Sequence, residues 1–398
     1  MKFESSFFSR NRLNLRETCE VQAFIFASNG VLQRNGDSDY RFRQDSNFWY
    51  LTGVDEPDCW LYMDSTGDYL VLPEREKHRD LWEGSIDSSE LTNLSGIKKV
   101  ITRKQLEARL KKHKPAMLGS IKAPEAYLNH FGMYTNPHRG YLHSYLQKLN
   151  LVVHDCRLDL ARLRQIKQPV ELEAMQSAID TTCETLQDIK NNLENYKNES
   201  DVEIALRQGF LNRGSSEHSF NPIIASGKNA YNIHYRKNNQ TIKIDDLLLL
   251  DLGAECNNYA ADITRTWAVG KPTLKKVRAY ELISQVQEFA FNTAKPGITI
   301  KQLDKTVRDF YAGKAVAAGF IRSKNHINEI FPYSLSHFLG LDVHDAGDYD
   351  SPLAENSVIT IEPGLHIKAD QLGMRVEDDI LITKSGNIIL SRNLPRQL

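Results

Sequence analysis

The sequence LLLLDLGAECNNYAADITRTWAVG, residues 247–270, decides the fold of this chain. It begins with an apolar run, passes through a polar turn and returns as a second strand with alternating apolar residues, which is the pattern of a β-hairpin. If residues 255–258 form the loop, antiparallel pairing places Asp251 directly opposite Asp262. Cross-strand neighbours have Cβ atoms about 5 Å apart, so the two like charges would destabilise the sheet unless a cation lay between them.

The hairpin alone leaves a second interpretation open. Strands carry occasional aspartates without any function, and a register shift of one residue would move Asp251 and Asp262 to opposite faces. The choice between a metal site and an ordinary polar turn therefore depends on what the rest of the chain supplies.

Length and composition exclude several classes of protein. The chain has 398 residues, which favours two or three domains at roughly 150 residues each. The net charge of -1 gives no field that would attract nucleic acid or an anionic membrane. The five cysteines are odd in number, widely spaced and without a CxxC pair, which argues against both a disulfide framework and a zinc–thiolate site. The first apolar run, residues 23–27, is too short for a signal or a membrane span, so we expect a soluble, unprocessed, cytoplasmic protein.

Residues 1–160 alternate short apolar runs with amphipathic segments, which predicts an α/β domain. The predicted strands are residues 21–27, 48–51, 60–63 and 69–72, and the predicted helices are residues 104–112 and 142–149. The aromatic-rich segment 45–58 fits either a packed loop near a pocket or a turn between core strands, and its composition favours the turn.

A charged segment followed by Pro169 predicts a domain boundary, with one domain at residues 1–160 and another at 161–398. Apolar residues then recur every three or four positions, which predicts a long helix packed on the core. Ser200 and Glu203 form a capping-box pattern that predicts a second helix, ending before Gly214. The hairpin of the two aspartates follows.

The same order of elements then returns. Residues 277–294 predict a helix, and Thr299 begins another, after which residues 357–383 predict a second hairpin that carries Glu362 and Glu377. With a loop near residues 369 and 370, the two glutamates pair to within one residue. Since the halves are offset by roughly 100 to 115 positions, they predict a pseudo-symmetric pair of helix, helix and acidic hairpin.

The segment SHFLGLDVHD, residues 336–345, supplies imidazoles between the two hairpins. A lone histidine in an apolar run is more often a core residue than a ligand, but four carboxylates change that balance. Asp251, Asp262, Glu362 and Glu377 would carry about four negative charges, which two divalent ions would neutralise. An oxygen-rich set with one imidazole suits Mn²⁺ best, although Co²⁺, Fe²⁺ or Zn²⁺ could bind. Two such ions deprotonate a bridging water and polarise a carbonyl, which suits amide hydrolysis.

These motifs resemble the pita-bread metallopeptidases, in particular Xaa-Pro aminopeptidases and prolidases. The resemblance rests on Asp251-x10-Asp262, SHFLGLDVHD, TIEPG at 360–364, RVEDD at 375–379, RQDSNFWYLTGVDEPD at 43–58 and SGKNAYNIHY at 226–235. It covers nearly the whole chain and implies a creatinase-like α/β amino-terminal domain followed by a pseudo-symmetric pita-bread catalytic domain. Methionine aminopeptidases usually lack the amino-terminal domain and creatinases lack the metal ligands, so both fit less well.

The resemblance also implies roles for individual residues. Asp251 would bind one ion, His337 and Glu362 the other, and Asp262 and Glu377 would bridge the two. Glu362 would act as general base, while His234 and His344 would hold the substrate carbonyl and the developing oxyanion. Arg375 lies two residues before Glu377 and would orient it, although a solvated strand charge is the alternative.

One position departs from the family. Many relatives have a histidine four residues before the His337 position, and this chain has Tyr333 there. A phenol does not ionise readily at neutral pH, so we do not expect Tyr333 to act as a proton relay.

The expected function is removal of an amino-terminal residue that precedes proline, by a metallo-exopeptidase that uses a metal-bridging hydroxide. The alternatives are a prolidase restricted to Xaa-Pro dipeptides and a non-catalytic peptide-binding protein. We expect peptides with proline in the second position as partners, neither nucleic acid nor membrane, and a homodimer or homotetramer.

Overall fold

The computed structural model of the protein describes residues 3–74, 78–122, 132–215 and 217–398, without the side chains of residues 79 and 83. The chain divides into two compact units, Met1–Leu163 and Arg164–Leu398.

The amino-terminal unit contains a mixed six-stranded sheet with the strand order β6-β5-β4-β1-β7-β8 and a small hairpin formed by β2 and β3. Its strands are β1 Ala23–Ala27, β2 Gln33–Asn35, β3 Ser38–Asp39, β4 Trp60–Asp64, β5 Gly67–Leu72, β6 Lys99–Thr102, β7 Leu118–Ser120 and β8 Val153–Asp155. β1 pairs antiparallel with β4 and parallel with β7, so the sheet is mixed at its centre. The predicted strands 21–27, 60–63 and 69–72 are confirmed.

Helices cover this sheet at several points. They are α1 Ser5–Thr18, α2 Ser46–Thr52, α3 Arg79–Glu83, α4 Ser88–Ser95, α5 Arg103–His113, α6 Pro137–Lys148 and α7 Arg157–Arg164. The predicted helices 104–112 and 142–149 correspond to α5 and α6 and are confirmed.

The predicted strand 48–51 is wrong, because these residues belong to α2. Asp45 caps this helix by accepting a hydrogen bond from the amide of Phe48 at 2.9 Å, and Gly53 ends it in the left-handed conformation. The rings of Trp49 and Phe8 pack edge to face, 5.4 Å between centroids. Every residue of α2 except Asn47 is buried, so the segment shows no apolar periodicity. Of the predicted turn within 45–58, only residues 57 and 58 form a turn, after the helix has ended.

The second unit contains two pairs of helices in the predicted order. They are α8 Pro169–Asn191, α9 Glu199–Asn212, α10 Leu274–Thr293 and α11 Ile300–Ala317, followed by the short helix α12 Ile327–Ile330. Thr299 and Gln302 form the predicted capping box of α11. The predicted box at Ser200 is wrong, because Asn198 and Asp201 cap α9 and Ser200 lies inside the helix.

The strands of the second unit form several short sheets. Their strands are β9 Glu217–His218, β10 Ile223–Ser226, β11 Leu247–Leu252, β12 Ala254–Cys256, β13 Tyr259–Ala260, β14 Ile263–Ala268, β15 Val358–Ile361, β16 Gly364–Ile367, β17 Leu372–Arg375, β18 Asp378–Ile382 and β19 Asn387–Ile389. The sheets are β10-β11-β14, β13-β12-β9, β15-β18-β19 and β16-β17. One apolar core packs β11 and β14 against α8 and α9, and another packs β15 to β18 against α10 and α11. The predicted repeat of helix, helix and acidic hairpin is therefore present in the fold.

Candidate metal centre

The first hairpin has a different register from the predicted one. Asp251 pairs with Thr264 rather than with Asp262, because the turn contains only Asn257 and Asn258, both at positive φ. Asparagine tolerates this conformation, which two-residue hairpin turns require. Asp262 lies two residues before Thr264 and so remains on the same face as Asp251. Both carboxylates are buried, with relative exposures of 6% and 5%.

A glycine marks the break in this hairpin between β11 and β12. A Cβ atom on Gly253 would lie 1.7 Å from the carbonyl oxygen of Ala261, so only glycine fits there. The strands approach each other closely at this point, directly beside Asp262.

The second hairpin places its two glutamates opposite each other. Ile361 pairs with Asp378 and Gly364 pairs with Arg375, so the common register sets Glu362 opposite Glu377. This confirms the predicted pairing. Both residues lie where the hairpin changes from one pair of strands to the next, which leaves their side chains outside the regular ladder.

Several hydrogen bonds join the hairpins to each other. The amide of Glu377 donates to the carbonyl of Thr264 at 3.0 Å, and the hydroxyl of Thr264 donates to Oε2 of Glu377 at 2.6 Å. The hydroxyl of Thr266 donates to the carbonyl of Arg375 at 2.8 Å. The four carboxylates therefore come from two hairpins that are hydrogen-bonded side by side.

His337 faces the carboxylates with one ring nitrogen. Its Nδ1 lies 3.0 Å from the carbonyl of Phe338, and since a carbonyl only accepts, Nδ1 carries the proton. Nε2 is left with its lone pair, 3.4 Å from Oδ2 of Asp262 and 3.4 Å from Oε1 of Glu362. A backbone carbonyl that fixes the tautomer in this way is the usual arrangement for a metal-binding histidine.

The donor set has the properties of a cation site. Ligand atoms of Asp262, His337 and Glu377 all lie within 4.8 Å of one another. Oδ1 of Asp251 is buried without a hydrogen-bond partner among the described residues. Such an atom is costly to bury unless it has a partner. The residues therefore fit the divalent ions that the sequence predicts.

Electrostatics lead to the same result. Burial, followed by repulsion from the neighbouring carboxylates, raises the pKa of Asp262, Glu362 and Glu377 well above the usual range. Burial without enough positive charge has this effect on clustered carboxylates. A divalent ion would reverse it by favouring the ionised forms.

Arg375 contacts a predicted ligand that the sequence did not pair with it. Its Nη2 donates to Oδ2 of Asp251, and its Nε donates to the hydroxyl of Thr264 at 3.0 Å. The distance from Nε to Oε2 of Glu377, the partner expected from the sequence, is 3.7 Å. The side chain is only 4% exposed, so the alternative of a solvated strand charge is wrong.

His234 and His344 lie beside this cluster. The rings of His337 and His344 are 4.3 Å apart between centroids. His234 and His344 are exposed residues, but partial desolvation by the surrounding protein lowers the pKa of each imidazole. The neighbouring imidazoles of His337 and His234 add to this effect on His344, whose pKa is lowered to about 4. Both rings are therefore neutral at pH 7, and each keeps one N–H that can donate.

Glu199 positions the segment that carries His234, and no motif in the sequence indicated it. Its carboxylate is fully buried at the start of α9. It accepts hydrogen bonds from the amide of Ser226 at 2.8 Å, from Nδ2 of Asn229 at 2.9 Å and from the hydroxyl of Tyr235 at 2.8 Å. The segment on both sides of His234 is therefore held by one buried carboxylate. From the sequence alone, a glutamate at the start of a helix cannot be told from the acidic residues that commonly stabilise the first turn of a helix.

Tyr333 lies next to the site without a polar partner for its hydroxyl among the described residues. A Cβ atom on Gly364 would lie 2.0 Å from this hydroxyl, so glycine makes room for the phenol. The ring packs at 5.7 Å from that of His366, edge to face, and the guanidinium of Arg375 lies 5.8 Å from its centroid. Burial raises the pKa of Tyr333 above its usual value.

Comparisons with known proteins agree with this geometry. The family described as Metallopeptidase family M24 matches residues 173–384. The chain belongs to metallopeptidase family M24. Residues 8–117 of this M24 metallopeptidase match the family described as Aminopeptidase P, N-terminal domain. The predicted fold, an α/β amino-terminal domain with a pita-bread domain, and the prediction of a metallo-exopeptidase are confirmed.

Several relatives of this M24 metallopeptidase carry related names. "Intermediate cleaving peptidase 55, mitochondrial" from Arabidopsis thaliana is 30% identical over 376 residues, which cover 90% of this chain and 74% of the relative. "Xaa-Pro aminopeptidase 3" from Homo sapiens is 30% identical over 416 residues, with 95% and 79% covered. Aminopeptidase P from Escherichia coli, solved with the inhibitor Pro-Leu, has a TM-score of 0.85 at 26% identity, with 100% and 97% covered.

A further layer of polar residues supports the second hairpin of this M24 metallopeptidase. Asp379 accepts a hydrogen bond from the amide of Asp262 at 3.2 Å. Asp378 accepts from the fully buried Arg265 at 2.6 Å and from Nε2 of Gln287 at 2.9 Å. These contacts fix the backbone on either side of the ligands.

In the described part of the chain, no helix is both long and apolar enough to cross a membrane.

Proposed function

We propose that this M24 metallopeptidase hydrolyses the amino-terminal Xaa-Pro bond of peptides at a site that holds two divalent ions. The observation that carries the proposal is the convergence of four carboxylates and one imidazole in a single buried cluster. The substrate class is supported by relatives from Homo sapiens and Escherichia coli that are named Xaa-Pro aminopeptidases.

The proposed ligands are Asp251, Asp262, His337, Glu362 and Glu377. Asp262 and Glu377 would contact both ions, and the unpartnered Oδ1 of Asp251 supports its role as a ligand. Oxygen-rich ligation with one imidazole favours Mn²⁺. Co²⁺, Fe²⁺ and Zn²⁺ are the alternatives, and the similar solved structures include a zinc-substituted aminopeptidase P from Escherichia coli.

Bound divalent ions supply a Lewis acid and lower the pKa of a water molecule, which yields a nucleophile at neutral pH. Glu362 accepts the proton of the attacking water at a carboxylate oxygen and passes it to the leaving proline nitrogen. Its Oε1 lies 3.4 Å from Nε2 of His337, within the cluster that would hold the ions.

The neutral rings of His234 and His344 donate to the substrate carbonyl oxygen and stabilise the negative charge that develops there. Both lowered pKa values support this role, because a neutral imidazole provides a donor without adding charge. Arg375 orients two ligands at once, Asp251 and Glu377, and neutralises part of their charge.

Substrate length separates the aminopeptidase from the prolidase alternative. An aminopeptidase leaves room beyond the proline, whereas a dipeptidase needs a cation that pairs with the proline carboxylate. We expect higher kcat/KM on Ala-Pro-Ala than on Ala-Pro, because a desolvated, unpaired carboxylate costs several kcal/mol. A tenfold preference for the dipeptide would move the assignment to prolidase. Absence of turnover on both peptides, with full metal content, would support the non-catalytic alternative.

Three further properties belong to the proposal. We assign residues 1–160 to the amino-terminal domain and 161–398 to the catalytic domain, a division supported by the compact units Met1–Leu163 and Arg164–Leu398. The odd, widely spaced cysteines support a reducing compartment such as the cytoplasm. A dimer or tetramer is expected, and light scattering of the purified chain tests it.

A further inference from the structure

The amino-terminal unit contains a second cluster of metal-ligating side chains. Cys19 follows the last residue of α1, and Cys156 lies between β8 and α7. The two residues are 137 positions apart in the sequence, yet their sulfur atoms are 3.7 Å apart. His154, at the centre of β8, and Asp159, in the first turn of α7, complete the group.

The distances fit one tetrahedral ion. Ligand atoms of all four residues lie within 4.8 Å of one another. Zinc–sulfur bonds of about 2.3 Å at a tetrahedral angle place two thiolates roughly 3.8 Å apart, close to the observed separation. Nε2 of His154 and Oδ2 of Asp159 are 3.5 Å apart, which also matches an edge of such a tetrahedron. A disulfide would require about 2.05 Å between the sulfur atoms, so the thiols are reduced.

Burial gives the cluster a closed inner side and an open outer side. Cys19 and Cys156 are 3% and 0% exposed. The side chains of His154 and Asp159 are 42% and 20% exposed, so an ion can enter past them. On the inner side the space is full, since a Cβ atom on Gly119 would lie 2.7 Å from the sulfur of Cys156.

The local backbone holds Cys156 in place. Its amide donates to the carbonyl of Ser120 at 2.8 Å, which extends the pairing of β7 with β8 by one residue. Its carbonyl accepts the amide of Leu160 at 3.0 Å and so begins α7. Cys156 therefore has a fixed position at a strand-to-helix junction, as expected of a preformed ligand.

We propose that Cys19, Cys156, His154 and Asp159 bind one zinc ion, which links the end of α1 to the junction of β8 and α7. Two thiolates, one imidazole and one carboxylate are all groups that bind zinc, and together they supply the four ligands of a closed tetrahedral site. Thiolate ligands select zinc over Mn²⁺, which prefers oxygen. The site therefore differs in metal preference from the carboxylate-rich catalytic cluster, and it is independent of the proposed function.

Cobalt provides a test that the catalytic cluster cannot imitate. We would remove metals from the full-length protein with chelator and titrate it with Co²⁺ while recording the near-ultraviolet spectrum. Thiolate-to-cobalt charge transfer absorbs there, whereas cobalt bound to carboxylates and imidazole lacks this band. Because the carboxylate cluster would also take up Co²⁺, the readout is the height of the band and not the amount of cobalt added. We expect that height to correspond to one cobalt ion with two thiolate ligands per chain, and we expect the band to disappear when Zn²⁺ is added.

Single substitutions show which residues produce the thiolate-to-cobalt charge-transfer band. Cys156→Ser should abolish it, while Cys59→Ser, a change at another buried cysteine of the same unit, should leave it intact. His154→Ala should weaken Co²⁺ binding at least ~10-fold, and this exposed position avoids the risk that a core change unfolds the protein. Asp262→Ala should retain the band, because its ligand set is separate.

The absence of the band in the wild-type protein would overturn the proposal. The same holds if Cys156→Ser leaves the band unchanged, or if His154→Ala leaves the Co²⁺ affinity unchanged, in protein with a native circular-dichroism spectrum. A Cys19–Cys156 disulfide, detected by mass spectrometry in protein purified without reductant and persisting after mild reduction, would also overturn it in favour of a covalent link.

Discussion

Arg375 donates a hydrogen bond from Nη2 to Oδ2 of Asp251, although 124 positions separate the two residues in the chain. The guanidinium forms its hydrogen bond with Oδ2 of Asp251, whereas Oδ1 is buried without a hydrogen-bond partner among the described residues. Arg375 thereby selects which oxygen of Asp251 faces the cluster.

This arrangement makes Arg375 a positioning residue. We expect Arg375→Gln to lower kcat by roughly 10- to 100-fold and to weaken metal binding, because two ligands lose their orienting partner. Titration of metal affinity beside kcat and KM measures both effects. Arg392→Gln, at an exposed arginine, is the control and should change neither. Wild-type kcat and metal affinity in Arg375→Gln would contradict the assignment.

Removal of a proposed bridging ligand should affect metal and rate together. Asp262→Ala is expected to lose most bound transition metal and activity, because Asp262 lies within reach of both His337 and Glu377. Elemental analysis and peptide hydrolysis, with and without chelator, test this. Asp350→Asn, at an exposed ion pair with Lys301, is the matched control. Active wild-type protein without transition metal would disprove the central proposal.

Glu199 should act on substrate binding through His234. An amide at this position offers one acceptor oxygen where the carboxylate accepts from Ser226, Asn229 and Tyr235. Glu199→Gln should therefore lower kcat/KM about 10-fold or more while metal content stays at the wild-type value. Glu194→Gln, at an exposed glutamate, serves as control. A parallel loss of metal would show that Glu199 supports the whole cluster rather than this segment.

Tyr333 tests whether the phenol takes part in proton transfer. Its hydroxyl has no partner among the described residues and burial raises its pKa, so we expect Tyr333→Phe to keep activity within a few-fold. A general acid or base would cost roughly 10²-fold or more. Stability should hold or rise, because the variant removes a buried, unpaired hydroxyl. A large loss of rate at full metal content would refute the packing role.

Glu171, which lies outside the metal cluster, should make the stability of the folded state depend on pH. Burial raises its pKa to about 7, although its carboxylate accepts hydrogen bonds from the amide of Gln168 and the hydroxyl of Tyr259. The folded state therefore binds this proton more tightly than the unfolded state, whose carboxyl titrates near 4.5. The stability that this proton contributes is complete below about 4.5 and is lost as the pH rises through 7.

The variant Glu171→Gln should remove that part of the pH dependence, on the order of 3 kcal/mol between the two pH limits. Urea unfolding at several pH values measures it. Glu173→Gln, two residues away on the exposed side of the same helix, is the control. Equal slopes for wild type and Glu171→Gln would contradict the raised pKa.

Local signals in the sequence predicted much of the architecture. Thr299 and Gln302 cap α11 as expected, and Glu362 lies opposite Glu377. These predictions succeeded because caps and hairpin registers depend on residues only a few positions apart, or on a single loop. The candidate ligands were predicted because carboxylates on one strand face need a cation, whichever partner strand they have.

Predictions failed where a different local solution was equally compatible with the sequence. The asparagine turn shifted Asp251 to face Thr264, and the all-round burial of α2 hid its helical period. Asp262 still joined the site, because a shift of two residues keeps a side chain on the same face.

The sequence by itself determined the cap of α11 and the two acidic hairpins, since each depends on short-range spacing, while the resemblance to a family supplied the choice of His337 among the histidines. Only the tertiary structure decided which distant residues meet. Arg375 with Asp251 and Cys19 with Cys156 are contacts between segments more than a hundred positions apart. The sequence positions of the two cysteines gave no indication that they are neighbours, because the contact depends on the sheet that brings β8 beside the end of α1. Packing, rather than any local pattern, sets such contacts.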